Sequence, residues 1–315
     1  MNDKYLWLEE IENKDSLAWV KNENSITVDK LTSWKSFKQL SEKIASALES
    51  KEKVPFVRFI DSGYIYNFWS DEAHVQGLLR RTTIEDYQNA SPTWETLIDL
   101  DLLSTKDNQK WVFHDFEISP NKKRALVSLS PGGLDADIVR EYCLETKRFL
   151  PDGFTLELSK GNATWHSDNE LLVMRVFGED SVTSCGYPRT LRKWKRGEDV
   201  KSAIIIYEIP VEESFLYTQA FHFEKSSRVI IYRKIDFYSG ELFLLQQDEL
   251  QKIPLPAKID TYGANANQLF FHLQEDWVTD TFNYKSGDVL VYYFDKKNVE
   301  LIYSGKFQDS CRLTF

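Results

Sequence analysis

No stretch of this chain approaches the roughly 18 consecutive apolar residues that a membrane-spanning helix requires, which removes a helical membrane bundle from consideration. Cysteine is scarce. Cys143, Cys185 and Cys311 are an odd set with no C-x-x-C spacing, so a reducing compartment is expected rather than a disulfide framework. The start, Met1-Asn2-Asp3-Lys4-Tyr5, lacks the apolar core of a secretion signal, and the cytoplasm is the expected location. The 13 glycines include no pair four apart and no pair two apart. The G-x-S-x-G nucleophile elbow and the G-x-G-x-x-G dinucleotide turn are therefore both missing. No G-K-[ST] closes a phosphate loop, no H-E-x-x-H occurs, and the five histidines, at 74, 114, 166, 222 and 272, are too scattered to mark a metal centre. The expectation is that this chain carries no catalytic, cofactor-binding or metal-ligating residues and needs no cofactor. Positive charge is also in deficit. Lys and Arg total 39 against 49 Asp and Glu, a net charge of -10, which disfavours nucleic acid and anionic membrane as partners.

What is present points to a folded, β-rich protein. With 315 residues, 42% hydrophobic and 28% charged, the chain is long enough for a sizeable core and too apolar for disorder. Aromatic residues reach 14%, and large flat side chains suit a pleated, half-buried surface.

The first fifty residues read as helix. From Leu17 the apolar positions Val20, Val28, Leu31, Trp34, Phe37, Leu40, Ile44 and Leu48 recur at helical spacing. Asp15 and Ser16 are the expected N-caps, and Pro55 blocks continuation after Lys53, so one or two helices should end near residue 50. After Pro55 the period falls to two. Five similar runs follow: Tyr64 to Trp69, Arg124 to Leu129, Leu171 to Phe177, Arg228 to Arg233 and Gln268 to Leu273. Each is preceded by a polar turn, as in Asp61-Ser62-Gly63, Pro120-Asn121-Lys122, Ser167-Asp168-Asn169, Lys225-Ser226-Ser227 and Asn265-Ala266-Asn267. Their spacing averages about 50 residues, which suits a four-stranded β-propeller blade. A sandwich or several small β domains remain the competing arrangement, because strand spacing alone does not fix closure.

Several short clusters contain reactive residue types, and each has a structural reading. His166-Ser167-Asp168 holds the three groups of a hydrolase triad. Adjacent residues at a strand end, however, cannot set a hydroxyl on one imidazole nitrogen and a carboxylate on the other, so a turn is expected. Asp71-Glu72-x-His74 falls between two strand runs and reads as a solvated hairpin loop. Arg189 to Arg196 interleaves cations with Leu191 and Trp194, the pattern of a strand with one wet face, with a docking patch for an acidic partner as the alternative. Cys143 reads as a small buried apolar residue. The sequons at Asn89 and Asn162 matter only in a secretory setting.

Tyr5-Leu6-Trp7-Leu8-Glu9-Glu10 and Ala18-Trp19-Val20-Lys21-Asn22-Glu23-Asn24 resemble the opening signature of the prolyl oligopeptidase family of serine peptidases. The resemblance continues through Tyr64 to Ser70, Gly77 to Thr83, Trp94 to Asp101, Ser128 to Gly133, Cys185 to Arg189 and Asp276-Trp277-Val278, and so spans nearly the whole chain. It implies a mainly β protein: a helical segment at 1–53, which in the family packs on a catalytic domain, then an incomplete β-propeller at 54–315. About five four-stranded blades are expected where the family has seven, with the C-terminal α/β-hydrolase domain absent. The family's serine, aspartate and histidine lie in that domain, so none maps onto this sequence. Lys160 and Tyr207 fall near two propeller regions that contribute to the substrate pocket in relatives, but neither reproduces the family's residue type, and neither is assigned a role. The implied partners are an α/β-hydrolase domain and short peptides. Blades shaped for about 51° per step would have to close at about 72° in a five-bladed ring, so an open arc or strained ring that self-associates through exposed blade edges is expected. A non-catalytic scaffold that binds a protein or peptide is the alternative function.

Overall fold

The computed structural model describes residues 3–10, 12–50, 52–223, 227–246 and 248–304. Cys311 and the turn residues Lys225 and Ser226 lie outside the described residues. Two compact units divide the chain, the first running to Asp99 and the second starting at Leu100.

In the first unit, α1 (Lys14–Thr32) and α2 (Phe37–Glu49) match the expected helical region and its end. The N-cap is earlier than the sequence suggests. Asn13, not Asp15 or Ser16, starts α1: its side-chain oxygen accepts from Asp15 N at 2.8 Å, the short-range bond that Asn makes readily ahead of a helix. Ser16 instead donates from its hydroxyl to Trp7 O at 2.9 Å and so ties the helix to the preceding 3-10 turn, Leu6–Glu9. The same unit contains the first blade, an antiparallel sheet of Phe59–Asp61, Tyr64–Trp69, Leu78–Thr83 and Glu95–Asp99 in sequential order.

The second unit contains four more blades. Blade 2 pairs Trp111–Ile118, Arg124–Pro131 and Asp137–Cys143, and its fourth strand is split into Arg148–Phe149 and Thr155–Ser159. Blade 3 is Gly161–Ser167, Glu170–Arg175, Thr190–Lys195 and Ile204–Glu208. Blade 4 is Phe215–His222, Ser227–Lys234, Gly240–Gln246 and Glu249–Ile253. Blade 5 is Ile259–Ala264, Gln268–Leu273, Val289–Tyr293 and Asn298–Tyr303, with a small hairpin, Trp277–Val278 with Asn283–Tyr284, between its second and third strands. The protein is thus mainly β, with five four-stranded propeller blades and N-terminal helices.

All five similar runs are the second strand of a blade, and the packing explains why they look alike. Successive residues of a strand point to opposite faces. In blade 3, Leu171 and Val173 enter the core shared with blade 2, while Leu172 and Met174 enter the core shared with blade 4. In blade 4, Val229 and Ile231 face blade 3, and Ile230 and Tyr232 face blade 5. A strand buried on both faces must be apolar at nearly every position, which makes these runs continuous rather than alternating. Gly161 opens blade 3 at a φ of +104°, and a Cβ there would overlap the Met174 carbonyl oxygen across the sheet. Gly161→Ala is expected to destabilise the second unit by about 2 kcal/mol or more, read as a lower urea midpoint without a change in slope.

Candidate functional site

The sequence clusters resolve as structural elements. His166 and Ser167 end the first strand of blade 3. The Ser167 hydroxyl accepts from Asn169 N at 3.3 Å, and Asp168 Oδ1 accepts from Asn121 N at 3.0 Å, which joins the first turns of blades 2 and 3. His166 Nε2 lies 3.7 Å from Asp248 instead, so no hydroxyl-imidazole pair forms in this cluster. Asp71 organises its hairpin loop: it accepts from Ala73 N, His74 N and Trp69 Nε1. These bonds, that from the Trp69 indole foremost, lower its pKa to about 2.

Three of the five cations of the basic run form internal pairs. Leu191 and Trp194 are buried, Arg189 pairs with Glu208, Lys193 with Asp248 at 2.5 Å, and Arg196 with Glu141 at 2.7 Å. The strand pattern was legible, but Arg189, Lys193 and Arg196 meet carboxylates from two other strands and a turn. Cys143 is half-buried rather than fully buried, its sulfur 3.5 Å from Thr146 N, because it ends a strand beside a turn. The sequon residue Asn162 donates from its amide to Thr218 O at 3.0 Å, between the first strands of blades 3 and 4.

Those first strands converge on Glu117. Its carboxylate accepts from the Thr164 hydroxyl at 2.5 Å and from Trp165 N at 3.0 Å, with His222 Nε2 at 3.9 Å, so blades 2, 3 and 4 all reach it. The side chain is 26% exposed. Desolvation outweighs the bonds from Thr164 and Trp165 and, with the Asp115 charge adding to it, pushes the Glu117 pKa up to about 8. The Thr164 hydroxyl donates its hydrogen bond to the Glu117 carboxyl group, not to an imidazole, so the cluster is a tie between blades rather than an activated nucleophile.

A second polar group gathers where the second and third strands of blades 2 and 3 are joined. Asp137 accepts from Arg175 Nη2 at 2.6 Å and lies 3.1 Å from His114 Nδ1. Asp135 lies 3.2 Å from Lys160 Nζ and accepts from the Tyr187 hydroxyl at 3.0 Å. The Tyr187 hydroxyl and the Lys160 ammonium hold the Asp135 carboxyl below the usual range, and Asp135 in turn raises the Tyr187 pKa. Lys160, given no role from sequence, therefore sits beside a tyrosine and a carboxylate at a loop end. Tyr207 does not join it: it lies in the fourth strand of blade 3 with its ring 5.4 Å from Phe243 of blade 4, a packing position.

The loops at this end of the blades in the second unit differ from those at the other. Leu134 in blade 2, Val176 in blade 3, Phe237 and Tyr238 in blade 4, and Val278 and Phe282 in blade 5 are all exposed, Phe237 at 81% and Tyr238 at 74%. Turns at the opposite end, such as Asn121-Lys122-Lys123, Arg196-Gly197-Glu198 and Asp295-Lys296-Lys297, are polar. In the first unit α2 buries none of its residues, and Phe37, Leu40, Ile44 and Leu48 form an apolar stripe with each residue at least 40% exposed. Each of these exposed apolar surfaces, taken within its own unit, is of the kind that marks a contact site.

The family model of the prolyl oligopeptidase N-terminal β-propeller domain matches residues 1–281. The chain belongs to the prolyl oligopeptidase family. An uncharacterized peptidase of Rickettsia prowazekii is 31% identical over 324 aligned positions, covering 95% of this chain and 44% of its own length. An uncharacterized peptidase of Sinorhizobium fredii is 31% identical over 288, covering 88% of this chain and 39% of its own. The solved structure of a post-proline cleaving enzyme from Rickettsia typhi superposes with a TM-score of 0.83 at 30% identity, over 95% of this chain and 46% of that one. The chain thus spans less than half the length of these relatives. Two of the runs that carried the prolyl oligopeptidase resemblance, Ser128 to Gly133 and Cys185 to Arg189, lie in or beside the two loops that supply Asp135 and Tyr187. That adjacency was the available signal for the Asp135, Lys160 and Tyr187 corner. Glu117 had none, because a lone glutamate in a strand does not reveal partners 47 and 48 residues away.

Proposed function

We propose that this chain is the propeller part of a prolyl oligopeptidase-like serine peptidase, in which residues 1–53 and the apolar loop ends of the blades meet an α/β-hydrolase domain that lies outside these residues. The blades limit entry to short, proline-containing peptides, and the hydrolase domain cleaves them by acyl transfer through a serine. The exposed stripe of α2 carries this reading, since a helix apolar on one side must bury that side against something. The relatives, more than twice as long as the matched region, have room for such a domain. A free-standing scaffold is less consistent with an uncovered stripe.

In this arrangement the chain alone gates but does not cut, and its unburied blade edges and stripe lead it to self-associate. The expected outcome with purified chain is no release of chromophore from a proline-containing chromogenic peptide, together with concentration-dependent elution on size exclusion. Turnover abolished by a serine-directed inhibitor overturns the proposal.

A further inference from the structure

The Thr155–Ser159 strand of blade 2 forms one wall of a cleft of about 500 Å3 on the flank between blades 2 and 3, within the size range of small-ligand sites. Its walls are apolar: Leu156 and Leu158 on one side, Val176, Phe177 and Val200 on the other. Three cations reach into this lining and only one carboxylate, Glu157. Arg175 is 3% exposed and is matched by Asp137 through Nη2, while its buried Nε has no hydrogen-bond partner among the described residues. Arg192 lies over the Phe177 ring, 4.0 Å from its centroid, and forms no salt bridge among the described residues. Glu208, the carboxylate whose charge it feels, is held by Arg189. Lys201 likewise has no ion-pair partner among the described residues. The wall strand pairs only with Asp137–Cys143, so its other edge is left without a strand partner among the described residues. Such an edge is a template for an added strand.

We propose that this cleft binds a short apolar peptide by its free C-terminal carboxylate, the peptide extending along the Thr155–Ser159 edge with its carboxylate on Arg192 and Lys201 and its side chains against Leu158 and Phe177. The excess of cation over carboxylate selects an anion. The unpaired backbone edge selects a peptide over a fatty acid, whose tail would leave those amide groups unsatisfied.

The test is a fluorescence anisotropy titration of the full chain with Ala-Leu-Leu bearing a neutral N-terminal fluorophore and a free carboxylate. Saturable binding is expected, weakened about tenfold by Arg192→Met, by Lys201→Met and by amidation of the peptide C-terminus, as for loss of a charge-assisted contact. Leu158→Asp, which places a carboxylate at an already exposed position in the cleft, is expected to abolish it, and Arg192→Lys to retain part of it. Circular dichroism melts matching the parent separate these effects from misfolding. Equal binding of acid and amide, no effect of Leu158→Asp in a folded variant, octanoate competing as well as unlabelled peptide, or no binding at millimolar protein and peptide overturns the proposal.

Discussion

Arg196→Met is expected to lower the stability of the second unit by about 2–3 kcal/mol, less than the full cost of stranding a buried charge because Arg124 and Phe154 N still donate to the partner carboxylate, which for a unit of this size lowers the melting temperature by about 7 °C. The side chain of its partner, Glu141, is completely buried. Arg196 Nη1 donates to Glu141 Oε2 at 2.7 Å and Nη2 to Oε1 at 2.9 Å, while Arg124 and Phe154 N also donate to the carboxylate, at 3.2 and 2.7 Å. The guanidinium lies over the Phe154 ring and donates to Asp168 O at 2.9 Å, so one side chain joins blade 2 to blade 3. Burial alone would raise the Glu141 pKa, but Arg196, the Phe154 amide and Arg124 together hold it below the usual range. A lysine reaches with a single point and cannot reproduce the fork, so Arg196→Lys should fall between methionine and parent. The double variant Glu141→Leu with Arg196→Met is expected to recover much of the loss. Thermal melts of the four proteins close the cycle, and a double variant no better than Arg196→Met would show that lost packing rather than the stranded charge is responsible.

Glu117→Gln is expected to change stability with the opposite pH dependence. Burial pushes the pKa of the parent carboxyl up to about 8 in the folded chain, against 4.5 for a glutamate in water. Between those values the folded state binds more proton than the unfolded state, so stability is full below the lower value and falls as pH rises, by about 1.4 kcal/mol per pH unit from this group, until it levels off above the folded pKa. Glutamine mimics the protonated form and removes that dependence. Urea midpoints should therefore be similar for parent and variant near pH 4.5 and favour the variant increasingly up to pH 8. A difference that stays constant from pH 5 to 8 would mean that Glu117 is already ionised in the fold. Glu141 works the other way: its contribution is present above the ordinary carboxylate pKa and is lost as pH falls through its lowered folded value. Two glutamates of one blade thus respond to pH with opposite signs, because one meets a guanidinium fork and the other a hydroxyl and an amide.

The blade count was readable from local pattern, since second strands such as Leu171 to Arg175 and Val229 to Tyr232 are buried on both faces and leave uninterrupted apolar runs. Helix positions were readable from spacing, although the cap at Asn13 was missed because Asp15 and Ser16 are equally good cap types. The polar sites were hardly readable at all. Nothing near Arg196 in the chain announces Glu141, 55 residues away, and Lys160 gained a setting only once two loops delivered Asp135 and Tyr187.

Periodicity, turn residues and composition are local properties of the chain, and they were enough to indicate about five repeating sheets behind one or two helices and to exclude the common nucleotide and nucleophile turns. Which carboxylate is ionised, which cation is spent and which apolar stripe is left uncovered depend on groups brought together from distant strands. Burial and charge pairing are properties of that three-dimensional neighbourhood, so only the fold could decide them.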